Sequence, residues 1–299
     1  KLMSDIIYEI QSKIKSKILF DYDMGKSTWF RTGGKAQGYV TVNNLKDLKT
    51  IIRYEDKIKY SLIGVGSNLL VRDSGYDGLI IKLGKNFNKI KIKKNILSVG
   101  AGVLDKNLAN FALKNSIKDF EFFIGIPGTI GGAVKMNAGC YGSQTSDNLK
   151  RVLVLNSLGK IQYINLNELN LEYRSSNLDK KSIILQVDFN FNYALYDEIL
   201  KKNIHIKLKR EESQPLKEKT SGSTFKNPPD KFAAELIEKA GCKDLQVGDA
   251  SVSNVHANFI INNGTATATD IERLGKKVIK RVKEVFGIML EWEIKILGK

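Results

Sequence analysis

The sequence predicts a mixed α/β protein of two or three subdomains, and three observations carry that prediction. Residues 28–193 read as short apolar runs of strand length, separated by Gly and Asn turns. Two helical periodicities, Leu45–Tyr54 and Leu104–Lys114, interrupt those runs. After residue 195 the pattern turns helical and charged through Arg210, passes a polar loop to Thr220, and then alternates helices with strands. A chain of 299 residues is long enough for about two domains.

The elements follow in order. Leu2, Ile6, Ile7, Ile10, Ile14 and Ile18 recur around Asp5 and Glu9, the pattern of an amphipathic helix rather than a signal or transit peptide. Strands are expected at Tyr60–Ile63, Gly78–Leu83, Ile96–Val99, Arg151–Asn156 and Ile183–Phe191. Lys89, Lys91, Lys93 and Lys94 alternate with Ile90 and Ile92, as on the solvent face of a sheet. A helix near Asp230–Ala240 places Phe232, Ala233, Leu236, Ile237 and Ala240 on one face and stops at Gly241. A second helix is expected to begin at Thr269, with Glu272 completing a capping box. It buries Ile271, Leu274, Val278 and Val282 and stops at Gly287. In the strand after it, Ile288, Leu290, Trp292, Ile294 and Ile296 share one face.

Composition removes several function classes. With 42% hydrophobic and 27% charged residues the chain is globular rather than disordered. No apolar run approaches the ~18 residues of a membrane span, so a soluble cytosolic protein is the expectation. The net charge of +16 can draw nucleic acid, anionic membrane or phosphorylated small molecules. The lysines are scattered and not interleaved with aromatics, which favours a general lysine bias over a nucleic-acid footprint. Cys140 and Cys242 lie far apart without a CxxC, and His205 and His256 have no nearby ligand partner. Neither a disulfide scaffold nor a metal site is expected.

Two glycine-rich stretches carry the functional signal. Gly64-Val65-Gly66-Ser67-Asn68-Leu69 follows an apolar strand, but Leu69 stands where a dinucleotide-binding GxGxxG needs its third glycine. The chain continues as a strand, not a helix, and no GK[ST] exists. What remains is a strand–loop–strand whose glycines let successive N–H groups face one anion, with Ser67 and Asn68 as further donors. A plain turn is the alternative. The second stretch runs Gly125-Ile126-Pro127-Gly128-Thr129-Ile130-Gly131-Gly132-Ala133-Val134-Lys135-Met136-Asn137-Ala138-Gly139-Cys140-Tyr141-Gly142. Six glycines make poor core, since ordering them costs entropy, but bare backbone suits a flat, bulky ligand.

These stretches, with Tyr173-Arg174-Ser175-Ser176, Ser221-Gly222-Ser223-Thr224-Phe225-Lys226-Asn227-Pro228 and Leu290-Glu291-Trp292-Glu293, occur in the order shown by the UDP-N-acetylenolpyruvoylglucosamine reductase family. The resemblance spans residues 25–296, and the short interval between Arg174 and Ser223 resembles the shorter form, without the tyrosine loop of longer members. It implies an α+β chain: a non-covalent FAD-binding fold of the vanillyl-alcohol-oxidase type in two subdomains, 1–85 and 86–205, plus a C-terminal α+β substrate domain, 206–299. It implies hydride transfer from NADPH through FAD to the enolpyruvyl ether of UDP-N-acetylglucosamine, giving UDP-N-acetylmuramate for peptidoglycan. Gly64, Val65, Gly66, Ser67, Asn68 and Leu69 would bind FAD, as would Gly125, Pro127, Gly128, Gly131, Gly132, Ala133, Asn137, Ala138 and Gly139. No nucleic-acid or membrane partner is implied, and a cytoplasmic monomer is expected.

The chemistry suits the residues. Hydride addition at the enolpyruvyl methylene pushes charge onto the carboxylate, which needs preorganised donors. Arg174 offers a planar fork for it. Ser223 resembles the family's proton donor to the alpha carbon, a weak acid that serves because the carbanion is strongly basic. Glu291 matches a carboxyl that assists enolate formation, and Lys226 and Asn227 suit the UDP pyrophosphate. His256 reads as structural, beside apolar strand residues. A covalent flavin oxidase would need a tethering histidine, and none lies near either glycine-rich loop.

Overall fold

The computed structural model describes residues 3–299, so Leu2 of the N-terminal pattern lies outside the described residues. The chain forms two compact units, each discontinuous in sequence. One holds the chain through Phe20, Gly38–Gly64 and Gly78–Arg210; the other holds Asp21–Gln37, Val65–Asp77 and Glu211–Lys299. No helix among the described residues is long and apolar enough to cross a membrane.

In the first unit the helix Met3–Lys13 buries Ile6, Ile7 and Ile10, the apolar stripe seen in the sequence. The helix Leu45–Ile52 starts where the Asn44 side chain accepts the Asp47 N–H at 2.8 Å. Asp47 is buried, which disfavours its charge, but donors from Ser16, Asn44 and Lys15 outweigh the burial and hold its pKa below the usual carboxylate value. A four-stranded sheet has the order Ile18–Asp23, Lys35–Val42, Tyr76–Leu83, Tyr60–Ile63. A five-stranded antiparallel sheet follows, in the order Ile161–Asn165, Leu149–Leu155, Ile183–Asn190, Ile96–Gly100, Ile90–Lys93. Its register sets Val187 opposite both Val152 and Val99, all fully buried. A register shift between Leu153 and Val154 lets Val154 and Leu155 both turn inward. The lysine-rich strand is the edge of this sheet, where charge guards open backbone. Phe120, Phe123 and Phe189 close the core edge to face.

In the second unit a three-stranded sheet, Gln246–Val247, Ala250–Val252 and Ile260–Asn262, shares a core with the helices Ala233–Lys239 and Ala268–Phe286. The longer helix starts two residues earlier than its sequence suggests. Its N-cap is Thr267, boxed with Asp270, not Thr269 with Glu272. Thr269 instead gives its N–H and hydroxyl to Asp73, and Glu272 takes the Arg72 fork at 2.9 and 3.1 Å. That fork, aided by Lys276 against partial burial, lowers the Glu272 pKa to about 2. Gly287 ends the helix at φ +69°. At Gly275 a Cβ would lie 2.0 Å from the Trp292 ring, so only glycine admits the indole against this helix.

The last apolar alternation is not one long strand. Only Lys295–Leu297 forms a strand, parallel with Leu69–Val71, and Trp292 makes a single isolated bridge. Leu290 and Ile294 are nevertheless buried with Trp292 and Ile296 packed beside them, so the alternation reports burial rather than continuous pairing.

Candidate active site

In the second unit, Val65–Asn68 leads into the strand Leu69–Val71, completing the strand–loop–strand form after Tyr60–Ile63. Gly66 stands at φ +70°, and a Cβ there would fall 1.8 Å from the Ser27 carbonyl oxygen. The Trp29 N–H donates to the Gly66 carbonyl at 3.0 Å, pinning the loop from that side. Among the described residues none accepts a hydrogen bond from the backbone N–H groups of Val65, Gly66 or Ser67. Three successive donors without a protein acceptor form a nest for an anion such as a pyrophosphate. FAD fits this donor set. Asn68 donates its side-chain amide to the Glu293 carbonyl at 3.1 Å, tying the nest to the segment that carries Glu291.

That segment meets the Ser223 loop. Phe225 bridges Trp292, the Lys226 N–H donates to the Glu291 carbonyl at 2.9 Å, and the Lys226 ammonium reaches Glu291 Oε2 at 3.2 Å. Lys226 and Glu291 are therefore brought together, and Ser223 lies three residues before Lys226 on the same paired segment. Ser223 follows Gly222, at φ +74°, and bridges Phe259. Asn227 Oδ1 accepts the Ala233 N–H at 2.9 Å, so part of this side chain starts a helix. His256 serves structure: its Nδ1 accepts the Asn258 N–H at 3.3 Å, and burial lowers its pKa.

In the first unit, Arg174 is a non-glycine residue at φ +54°, inside a turn closed by paired hydrogen bonds between Glu172 and Ser175. Backbone strain of this kind persists where its surroundings hold it, commonly at working sites. The guanidinium lies 4.9 Å from the centre of the Tyr173 ring and donates to the Gly139 carbonyl at 3.3 Å. Asn137 ties the same turn to the glycine-rich stretch, donating to Glu172 O at 3.4 Å and Gln144 Oε1 at 3.1 Å and accepting the Ser146 N–H. Its side-chain amide thus braces the glycine-rich stretch against this turn.

The glycines of that stretch divide. At Gly125, Gly128, Gly131 and Gly139 a Cβ would press on neighbouring protein, down to 2.4 Å at Gly139. Gly64, packed on Thr129 Oγ1, behaves likewise. The N–H groups of Ile130, Gly131 and Gly132 are spent on Val103, Ala101 and Thr129. Gly132 is exposed, with only Thr129 within reach of a Cβ.

Sequence reasoning missed two residues here. Arg210 lies in the last turn of the helix Tyr196–Ser213, half-buried, its pKa lowered by that burial and raised in part by Tyr141 and Cys140. Arg174 and Arg210 both oppose the burial that pushes the Cys140 thiol up to about 12. The only sequence hint was one Arg among lysines. Asp105 is fully buried with both oxygens unpartnered among the described residues, and burial raises its pKa well above the usual value.

Residues 36–165 match the family model for an FAD binding domain, and residues 214–297 match that for the C-terminal domain of UDP-N-acetylenolpyruvoylglucosamine reductase. Two proteins carrying that reductase name, from Rickettsia conorii and Rickettsia typhi, are 43% and 45% identical over 96% of this chain and 97% of their own length. This chain belongs to the UDP-N-acetylenolpyruvoylglucosamine reductase family. The crystal structure of the reductase from Thermus caldophilus superposes with a TM-score of 0.82 at 34% identity, covering 95% of this chain and 99% of that one. The fold is accordingly that of the reductase, an FAD-binding domain joined to the reductase's C-terminal domain. Ser223, Lys226 and Glu291 fall inside the C-terminal reductase model, and the Gly125–Gly142 stretch falls inside the FAD-binding one. Arg174 and Arg210 lie between the two matched ranges.

Proposed function

We propose that this chain reduces UDP-N-acetylglucosamine enolpyruvate to UDP-N-acetylmuramate, with NADPH as hydride donor and non-covalent FAD as carrier. The observation that carries the reading is the pairing of the Ser223 segment with the Glu291 segment through Lys226 and Phe225, within the matched reductase domain. When bound, FAD supplies the group that takes hydride from NADPH and gives it up at the methylene carbon.

The protein's own residues then manage charge and protons. The backbone donors of Val65, Gly66 and Ser67 hold the cofactor's pyrophosphate. The Arg174 fork takes the substrate carboxylate, where negative charge gathers as the carbon–hydrogen bond forms, and a left-handed backbone holds the fork in place. Ser223 donates its hydroxyl proton to the alpha carbon, completing the addition of hydride and proton across the double bond. Glu291 assists enolate formation from the neighbouring segment. Lys226 exchanges its exposed carboxylate partner for the nucleotide's phosphates.

The test separates the two half-reactions in stopped-flow absorbance. Ser223→Ala should bleach with NADPH at the wild-type rate and reoxidise with the enolpyruvyl substrate at least ~10²-fold more slowly. Unimpaired reoxidation removes Ser223 from the mechanism. A wild-type protein that does not bleach with NADPH overturns the reading as a whole.

A further inference from the structure

We propose that Asn258 is the positioning residue for the Ser223 hydroxyl, acting through the backbone of Thr224 and Phe225; this rests on Ser223 as proton donor. Asn258 is buried at 3% exposure. Its Oδ1 accepts the Phe225 N–H at 3.0 Å, and its Nδ2 donates to the Phe225 carbonyl at 2.8 Å. One side chain thus makes both hydrogen bonds that an antiparallel neighbour would make to that residue. The Asn258 carbonyl also accepts the Thr224 N–H at 2.8 Å, and Phe259 bridges Ser223. Ser223, Thr224 and Phe225 are all held from two adjacent residues.

The clamp matters because little else on that side aims the hydroxyl. Gly222, just before Ser223, has a left-handed φ and nothing within 4 Å of where a Cβ would lie, so side-chain packing does not fix the backbone there. The Thr224 hydroxyl is buried without a partner among the described residues and anchors nothing. Asn258 is itself braced, since its N–H donates to His256 Nδ1, while Ser253 Oγ accepts the N–H groups of Val255 and His256. A weak acid such as serine must meet one face of a planar enolate, and a displacement of about 1 Å costs ~10²-fold.

The experiment uses the flavin-loaded protein. Asn258→Asp at pH 8 sets a carboxylate against the Phe225 carbonyl and loses that donor. Reoxidation by the enolpyruvyl substrate should slow ~10–10²-fold, with bleaching by NADPH unchanged. Lowering the pH until the introduced carboxyl is protonated restores one donor and one acceptor. The reoxidation rate should then recover, a profile the wild type lacks. Combined with Ser223→Ala, the variant should be no slower than Ser223→Ala alone. Asn258→Gln, which keeps the amide but shifts it by a methylene, should also slow reoxidation selectively if Asn258→Asp does not fold. Independent slowing in the double variant, equal slowing of both half-reactions, or no pH recovery overturns the proposal. A slow Ser223→Ala with a normal Asn258→Asp sinks the positioning role alone, whereas a normal Ser223→Ala sinks the proton-donor reading beneath it.

Discussion

The two glycine-rich stretches look alike in sequence and differ in what they do with their N–H groups. In Val65–Ser67 three donors are left over by the protein. In Ile130–Gly132 the donors are spent on neighbouring carbonyls and a threonine hydroxyl. Most glycines of the longer stretch let other protein come close, whereas Gly66 also shapes a loop with donors to spare. Glycine density therefore marks close backbone approach, and donor bookkeeping shows whether protein or ligand is approaching.

Gly66 is where the donor-rich loop is most sensitive to substitution. A Cβ there meets the Ser27 carbonyl and is strained by φ, so Gly66→Val should yield largely flavin-free protein. Normal flavin stoichiometry, from the ratio of visible to near-UV absorbance, would remove the nest from cofactor binding. A smaller effect is expected at Gly132, the open position of the second stretch. Gly132→Ala meets no protein closer than 3.4 Å, so the flavin-free protein should melt at or above the wild-type temperature. If the flavin lies against this backbone, its dissociation constant should rise about tenfold, the cost of ~1.4 kcal/mol. Unchanged affinity would mean that this part of the stretch serves packing alone.

The smallest effect tests how tightly the second stretch is packed. A Cβ on Gly128 would lie 2.6 Å from Asp105 Oδ2, so this buried carboxyl sits directly under the loop. Burial raises its pKa well above 3.8, so whatever stability it allows is complete below that pH and declines as pH rises through the folded value. Asp105→Asn removes that decline. Its melting temperature should exceed the wild type's by about 2–4 °C at neutral pH, as for ~1 kcal/mol in a domain of this size. The gap should close toward pH 4, and a gap independent of pH would mean that the carboxyl finds a proton-independent partner.

Much of the fold was legible because strand and helix periods are local. The runs at Tyr60–Ile63 and Ile96–Val99 became strands almost to the residue. The start of the last helix was not, because Thr267-Ala268-Thr269-Asp270-Ile271-Glu272 offers two overlapping capping boxes. Arg72 and Asp73, some two hundred positions away, take Glu272 and Thr269 and leave Thr267 as the cap. The same reason separates the legible part of the site from the rest. Ser223 and Arg174 sit in motifs that can be read along the chain. Asn258 and Arg210 acquire meaning from what folding places beside them, since an amide clamp and a half-buried guanidinium leave no local pattern.

The indole that requires glycine at position 275 has an optical consequence. The chain has two tryptophans. Trp292 rests 5.0 Å from the Phe225 ring in the clamped serine segment, and the backbone N–H of Trp29 donates to the Gly66 carbonyl. Each of the two loops assigned to chemistry thus has a native fluorophore beside it, Trp292 packed against the core and Trp29 38% exposed. Their emission overlaps flavin absorption, so loading of the cofactor can be followed by quenching in the unlabelled protein, with one tryptophan reporting from beside the nest and the other from beside the serine.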